Sequence, residues 1–253
     1  MIFQPSTPSR FDLQFSVAGV PVRVHPSFWL VTLLLGASGQ LLLIPVWIGV
    51  VFISILIHEM GHALAFRRYG QRSHIILQMA GGLTVPEPSA SDWGGGSYYA
   101  PLSPNQQIII SLAGPVAGFM FALLVMAGVI LSGGSVLTSR LFGLIPLPLT
   151  AVMGFGGDIA NVIATLLLWV NIFWGLVNLL PVFPLDGGQV ARNILIQFDR
   201  MNGLRNSLWL SAIVGGLIAV LGFVFLRSIF MALLFGLLAF QSYQMASNRV
   251  IGY

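Results

Sequence analysis

Residues 45–66 read PVWIGVVFISILIHEMGHALAF, an apolar run that contains a cluster of ionisable side chains near its end. About 20 mainly apolar residues are enough for an α-helix to cross the roughly 30 Å of hydrocarbon in a bilayer. Arg67 and Arg68 follow directly, and positive residues collect on the cytoplasmic side of membrane helices. The segment therefore predicts a transmembrane helix whose C-terminal end faces the cytoplasm.

The composition of the whole chain is typical of a membrane protein. Of its 253 residues, 57% are hydrophobic and only 7% are charged, which lies far outside the range of soluble domains. We therefore predict an all-α polytopic membrane protein in which residues 1–253 form a single integral-membrane domain. Six transmembrane spans are expected, one between residues 24 and 44 and the others at about 45–66, 106–132, 160–180, 206–226 and 228–246.

Two short stretches predict β-strands beside these spans. In residues 11–24, apolar side chains alternate on either side of the turn-prone pair Ala18-Gly19, which is typical of a small β-hairpin. Residues 74–84 alternate in the same way before a pair of glycines. We expect both stretches to form small membrane-associated strands.

Two connections between the spans have different compositions. Residues 86–105 are rich in proline, serine and glycine, which predicts a mobile loop: a flexible connector, a gate or a segment that docks a partner. Residues 133–158 are apolar and interrupted by glycine and proline, so we expect them to form a connection between two spans.

The basic residues predict the orientation of the chain. All eleven are arginines scattered between apolar segments, so we expect no nucleic-acid binding despite the net charge of +4. With both termini inside, nine arginines fall on the cytoplasmic side and two outside, which favours a multi-pass protein of the cell membrane with its active site toward the cytoplasm. The nine are Arg10, Arg23, Arg67, Arg68, Arg72, Arg192, Arg200, Arg205 and Arg249, and the two are Arg140 and Arg227.

The sequence HEMGH at residues 58–62 is an H-E-x-x-H motif on a segment already predicted to be helical. A spacing of four places His58 and His62 on one helical face, where both imidazoles can bind one zinc ion. Glu59 lies about 100° around the helix from His58, close enough to a metal-bound water to take its proton as general base. The alternative is a chance motif or a structural histidine pair.

A catalytic zinc normally has three protein ligands, so a third ligand is needed. The chain has no cysteine and only seven acidic residues, so few side chains could serve as the third ligand. Asp186 follows NLLPVFPL at residues 178–185, where two prolines break the end of an apolar span at the depth of His58. Asp186 can therefore face the two histidines, or cap the helix that follows Pro184. Asn178 is a candidate donor to the oxyanion.

These residues resemble the site-2 protease family of intramembrane zinc metalloproteases. HEMGH is similar to the family's zinc motif, and NLLPVFPLDGG to its second signature. The resemblance covers nearly the whole chain and implies a compact form without a PDZ domain or a C-terminal regulatory domain. It implies Zn²⁺ bound by His58, His62 and Asp186, with Glu59 as general base and Asn178 as a supporting catalytic residue.

Two further stretches are similar to the family. MAGGLT at residues 79–84 resembles its membrane-associated strand and glycine turn beside the active site, which implies Gly81 and Gly82 as substrate-binding residues on an edge strand. SLAGPVAG at residues 111–118 resembles another family segment, although Gly118 stands where an asparagine is common.

The resulting hypothesis is an intramembrane zinc metalloprotease that hydrolyses peptide bonds in or near transmembrane segments. Its expected partners are transmembrane protein substrates, the lipid bilayer and a regulatory membrane protein. The alternatives are a catalytically idle membrane scaffold or chaperone and a metal transporter. His25 and His74 remain candidates for accessory ligands or proton carriers, against the ordinary interpretation of interfacial histidines as amphipathic residues.

Overall fold

The computed structural model describes residues 5–36, 41–87, 102–141, 145–225 and 227–248. The chain divides into two compact units. The first unit comprises Met1–Pro101 and Ala113–Gly175, and the second comprises Leu102–Leu112 and Leu176–Tyr253. The helices are α1 (Pro26–Gly36), α2 (Ile44–Arg68), α3 (Pro104–Leu131), α4 (Gly157–Asn178), α5 (Asp186–Phe198), α6 (Gly203–Val224) and α7 (Ile229–Asn248).

Five helices in the described part of the chain are long and apolar enough to cross a membrane: α2, α3, α4, α6 and α7. They begin and end within a few residues of the predicted spans, which confirms an all-α polytopic, multi-pass membrane protein. Within the first predicted span, the described helix α1 has 11 residues and a length of about 16 Å. Trp47 Nε1 donates a hydrogen bond to the Thr32 carbonyl oxygen at 3.0 Å, which fixes α1 against α2.

The first unit contains a four-stranded sheet in the order β1-β2-β3-β4. The strands are β1 (Leu13–Val17), β2 (Val20–Val24), β3 (Ser73–Gln78) and β4 (Gly81–Pro86). Ala18 and Gly19 have φ values of 50° and 79°, the conformation of a two-residue hairpin turn between β1 and β2. The two predicted strand regions are confirmed. β2 and β3 pair in parallel, so α1 and α2 lie in the crossover between them.

The sheet packs on the C-terminal half of α2. One hydrophobic core joins the inward side chains of β2 and β3 to Ala63 of α2, with Leu56 and Met60 packed against it. Arg67 Nη1 donates to the Ala18 carbonyl oxygen at 3.1 Å, which fixes the first hairpin to the end of α2. The sheet therefore lies beside the helical turns that carry the H-E-x-x-H motif.

The predicted connection at residues 133–158 contains regular structure, whereas most of the predicted loop at residues 86–105 lies outside the described residues. The connection forms an antiparallel hairpin of β5 (Ser135–Leu141) and β6 (Ile145–Val152), which packs with Leu149 and Ala151 against α3 and α4. Pro146 and Pro148 lie in β6, and proline usually indicates a break because it cannot donate to a sheet. A two-stranded hairpin tolerates both prolines, since each strand has a partner on one edge only. Backbone groups on its other edge make no hydrogen bonds to a third strand.

The second unit places Asp186 at the start of α5. The chain turns at residues 179–185 after α4 ends, and the Phe183 N–H donates to Ser211 Oγ of α6 at 3.0 Å. A Cβ at Gly187 would collide with the Leu179 backbone, so the turn closes over the first residues of α5 only because glycine follows Asp186. α6 and α7 complete this unit as a helical hairpin.

Candidate metal centre

His58 and His62 face each other on consecutive turns of α2. Their Nε2 atoms are 3.2 Å apart, and the two residues are only 9% and 7% exposed. A tetrahedral zinc with bonds of about 2.0–2.1 Å to two imidazoles holds their nitrogens about 3.3 Å apart. The spacing of the pair therefore fits two ligands of one zinc ion.

Glu59 completes the group from the side of the sheet. Ligating atoms of His58, Glu59 and His62 all lie within 4.8 Å of one another, and Glu59 is 6% exposed. Thr84 Oγ1 donates to Glu59 Oε2 at 2.7 Å, and it also lies 3.1 Å from the Glu59 carbonyl oxygen. The carboxylate is thus held between α2 and β4.

Two glycines leave the space that this group occupies. A Cβ at Gly82 of β4 would collide with the side chain of Glu59. A Cβ at Gly114 of α3 would collide with Nε2 of His62 and lie 2.7 Å from Nε2 of His58. Because Gly114 has no Cβ, it places no side-chain atom next to the Nε2 atoms of the two histidines. The segment SLAGPVAG was noted in the sequence, but its spacing alone gives no sign of this contact.

A buried polar pair lies one turn of α2 before His58. Asn171 Nδ2 of α4 donates to Ser54 Oγ at 2.9 Å, and the two residues are 4% and 3% exposed. A cavity of about 10 Å³ beside them is lined by His58 and Gly118, among others. Sequence reasoning missed Asn171, although an asparagine inside an apolar span is a signal of a buried partner.

The two remaining predicted site residues, Asp186 and Asn178, lie in the second unit. Asp186 is the first residue of α5, and Leu185 occupies the N-cap position, so the capping alternative does not describe Asp186. Asn178 is the last residue of α4 and is buried. Their roles as third zinc ligand and supporting residue stay predictions.

The two other histidines have separate surroundings. His25 Nδ1 accepts the Ser27 N–H at 3.2 Å and lies 2.7 Å from Ser27 Oγ, which makes it part of the turn into α1. His74 Nδ1 is 3.7 Å from a carboxylate oxygen of Glu87 at the surface. Among the described residues, the one group of three side chains suited to a metal is the group on α2, and neither histidine belongs to it.

The chain is similar to known proteins over most of its length. The zinc metalloprotease MJ0392 of Methanocaldococcus jannaschii is 24% identical over 215 residues, which are 83% of this chain and 52% of that protein. Rip3 of Mycobacterium tuberculosis is 30% identical over 181 residues, which are 71% of this chain and 35% of that protein. The chain thus spans about half, or less, of the length of these relatives.

A solved structure has the same fold. The site-2 protease from Methanocaldococcus jannaschii matches 93% of this chain and 95% of its own with a TM-score of 0.55 and 22% sequence identity. The model of the family described as peptidase family M50 matches residues 46–222, a range that contains both the HEMGH motif and Asp186. With this match over well more than half of its residues, the chain belongs to peptidase family M50.

Proposed function

We propose that this protein is an intramembrane zinc metalloendopeptidase that cleaves membrane proteins in or near their transmembrane segments, as in regulated intramembrane proteolysis. The observation that carries the proposal is the buried pair His58 and His62, whose Nε2 atoms are 3.2 Å apart beside Glu59. Buried ionisable groups in a membrane helix are costly unless they are paired or bind a metal. Membership in peptidase family M50 supports the same activity.

The proposed roles follow the chemistry of each side chain. His58, His62 and Asp186 hold the zinc ion, which, when bound, lowers the pKa of water and polarises the peptide carbonyl. Glu59 takes the proton from the attacking water and passes it to the leaving amine. Asn178 donates a hydrogen bond to the developing oxyanion.

The proposed substrate site is the outer edge of β4. This strand ends the sheet within the described residues, and Gly81 and Gly82 at its start are the residues proposed to bind the substrate. An extended substrate segment can pair with such an edge through its main chain. Unwinding matters here because a helical peptide bond is protected by its own hydrogen bonds. The proposed substrates are transmembrane proteins, and a regulatory membrane partner is also proposed.

The proposed location is the cell membrane, with the active site toward the cytoplasm and one integral-membrane domain. Arg67 and Arg68 in the last turn of α2 support this orientation, because they lie at the same end of the helix as the metal-binding group.

Metal content tests the proposal without knowledge of the substrate. Wild type and Glu59→Gln, purified in detergent, are expected to carry close to one zinc per chain by mass spectrometry. His58→Ala and Asp186→Ala are expected to lose it, because each removes a ligand. Zinc at full occupancy in Asp186→Ala would refute this aspartate as the third ligand.

Activity is then measured with fluorescein-labelled β-casein, an unfolded protein whose extended segments can pair with a strand edge. Wild type is expected to cleave it, and 1,10-phenanthroline or Glu59→Gln is expected to abolish cleavage. A zinc-loaded wild type that cleaves neither casein nor any membrane protein in cells would favour the scaffold instead.

A further inference from the structure

We propose that Thr84 is the positioning residue of the general base, and that its hydroxyl ties Glu59 to the strand that holds the substrate. This inference rests on the proposed function, since it assigns a role within the same site. Thr84 does not touch the reacting atoms in this assignment and acts only through Glu59.

The first argument is the reach of one hydroxyl group. Thr84 Oγ1 lies 2.7 Å from Glu59 Oε2 and 3.1 Å from the carbonyl oxygen of the same residue. A donor placed between the carboxylate and its own backbone fixes the side-chain torsions of Glu59 relative to α2. A glutamate otherwise has three rotatable bonds, and immobilising such a side chain costs rotamer entropy. Because Thr84 orders the Glu59 carboxylate before the substrate binds, this loss of entropy does not add to the barrier of the catalytic step.

The second argument is the alternation along β4. Residues two apart in a strand face the same side, so Gly82 and Thr84 both face Glu59. At Gly82 a side chain would collide with the carboxylate, and at Thr84 the hydroxyl binds it. One face of β4 therefore provides both the space for the Glu59 side chain and the hydrogen bond to its carboxylate.

The third argument is the place of β4 in the sheet. β3 pairs with one edge of β4, from Ser73↔Pro86 to Gln78↔Gly81, so the proposed substrate segment adds to the other. A substrate strand that pairs with β4 in a fixed register is then also fixed in position relative to Thr84, the residue that holds Glu59. Removing the hydroxyl is expected to misplace the base while leaving the binding edge intact.

The test compares Thr84→Val, Thr84→Ser and Thr150→Val with wild type in the casein assay, alongside zinc content. Valine has the shape and strand preference of threonine but no hydroxyl, and Thr150 is a matched control because its hydroxyl bonds Ser139 in the other hairpin. Thr84→Val is expected to lower kcat by about tenfold to a hundredfold, with KM within about twofold and zinc unchanged. Thr84→Ser and Thr150→Val are expected to remain within about threefold of wild type.

The outcomes separate this inference from the proposed function. If wild type shows no phenanthroline-sensitive cleavage, the proposed function fails. If wild type cleaves and Thr84→Val cleaves equally well, or if valine and serine lower kcat to the same extent, the role of the hydroxyl is refuted. Loss of zinc from Thr84→Val would also refute it, because Thr84 would then support the metal site rather than the base.

Discussion

At the scale of single residues, the most informative position is one without a side chain. Gly114 lies where a Cβ would meet Nε2 of both His58 and His62. We expect Gly114→Ala to fold, since alanine favours a helix by about 1 kcal/mol over glycine, yet to bind no zinc. The measurement is zinc per chain by mass spectrometry, with a drop from near one to near zero.

Gly118, one turn further along α3, provides the matched control. A Cβ there would lie 3.6 Å from Asn171 Oδ1, an ordinary contact distance. Gly118→Ala is therefore expected to keep its zinc. Equal zinc content in the two alanine variants would show that the space at Gly114 does not decide metal binding.

The same scale shows what a sequence can and cannot predict about the site. His58, Glu59 and His62 were predictable because one helix turn brings them together, and the geometry of a helix is known in advance. Thr84 and Gly114 were not, because packing brings Thr84 of β4 to Glu59 and Gly114 of α3 to the two histidines. The spacing of residues 25 or more positions apart says nothing about such contacts.

At the scale of elements, a hydrogen bond inside the bilayer joins α2 to α4. Asn171 donates to Ser54 and also to the carbonyl oxygen of Leu167 in its own helix at 2.8 Å. Interhelical hydrogen bonds in membrane proteins contribute about 0.6 kcal/mol on average and up to about 1.7 kcal/mol. We expect a coupling free energy in this range from a double-mutant cycle of Ser54→Ala and Asn171→Ala, measured by unfolding in SDS. Strictly additive effects would mean that the contact adds nothing to stability.

The junction between α5 and α6 is expected to make stability depend on pH. Asn202 donates its backbone N–H and its side-chain amide to the Asp199 carboxylate, which lowers the pKa of that group below its ordinary 3.8. A lowered pKa in the folded state stabilises the protein above the ordinary value, and this contribution is lost as pH falls through 3.8 and below. Asp199→Ala should therefore lower Tm at pH 7.

The check is the difference in Tm between wild type and Asp199→Ala across pH 7 to 3, measured in detergent by intrinsic fluorescence. The difference should be constant near neutral pH and shrink at the acid end, since protonation of Asp199 then begins to remove the carboxylate charge. A difference that stays constant over the whole range would contradict the assigned hydrogen bonds.

At the scale of the whole molecule, the orientation in the membrane is open to a direct test. The chain contains no cysteine, so single cysteines can be added without removing any. In intact cells, a membrane-impermeant maleimide is expected to label Thr138→Cys in β5, and to label Arg72→Cys and Met201→Cys only after lysis. The reverse pattern would place the metal centre on the outer side.

How much of the architecture was predictable also differs by element. The five long helices were predictable because an apolar run of about 20 residues has few alternatives in a membrane protein. The hairpin of β5 and β6 was not, because Pro146 and Pro148 normally indicate a break in a strand.

The contact between Glu59 and Thr84 also has a consequence for biosynthesis. Its two residues are 25 positions apart, and a ribosome adding about 5–20 residues per second takes about one to five seconds to connect them. For most of that interval α2 has already been synthesised, while strand β4, which will hold the Glu59 side chain, has not been made. The contact can therefore form only after β4 has been synthesised, and until then Glu59 lacks the hydroxyl that holds its carboxylate.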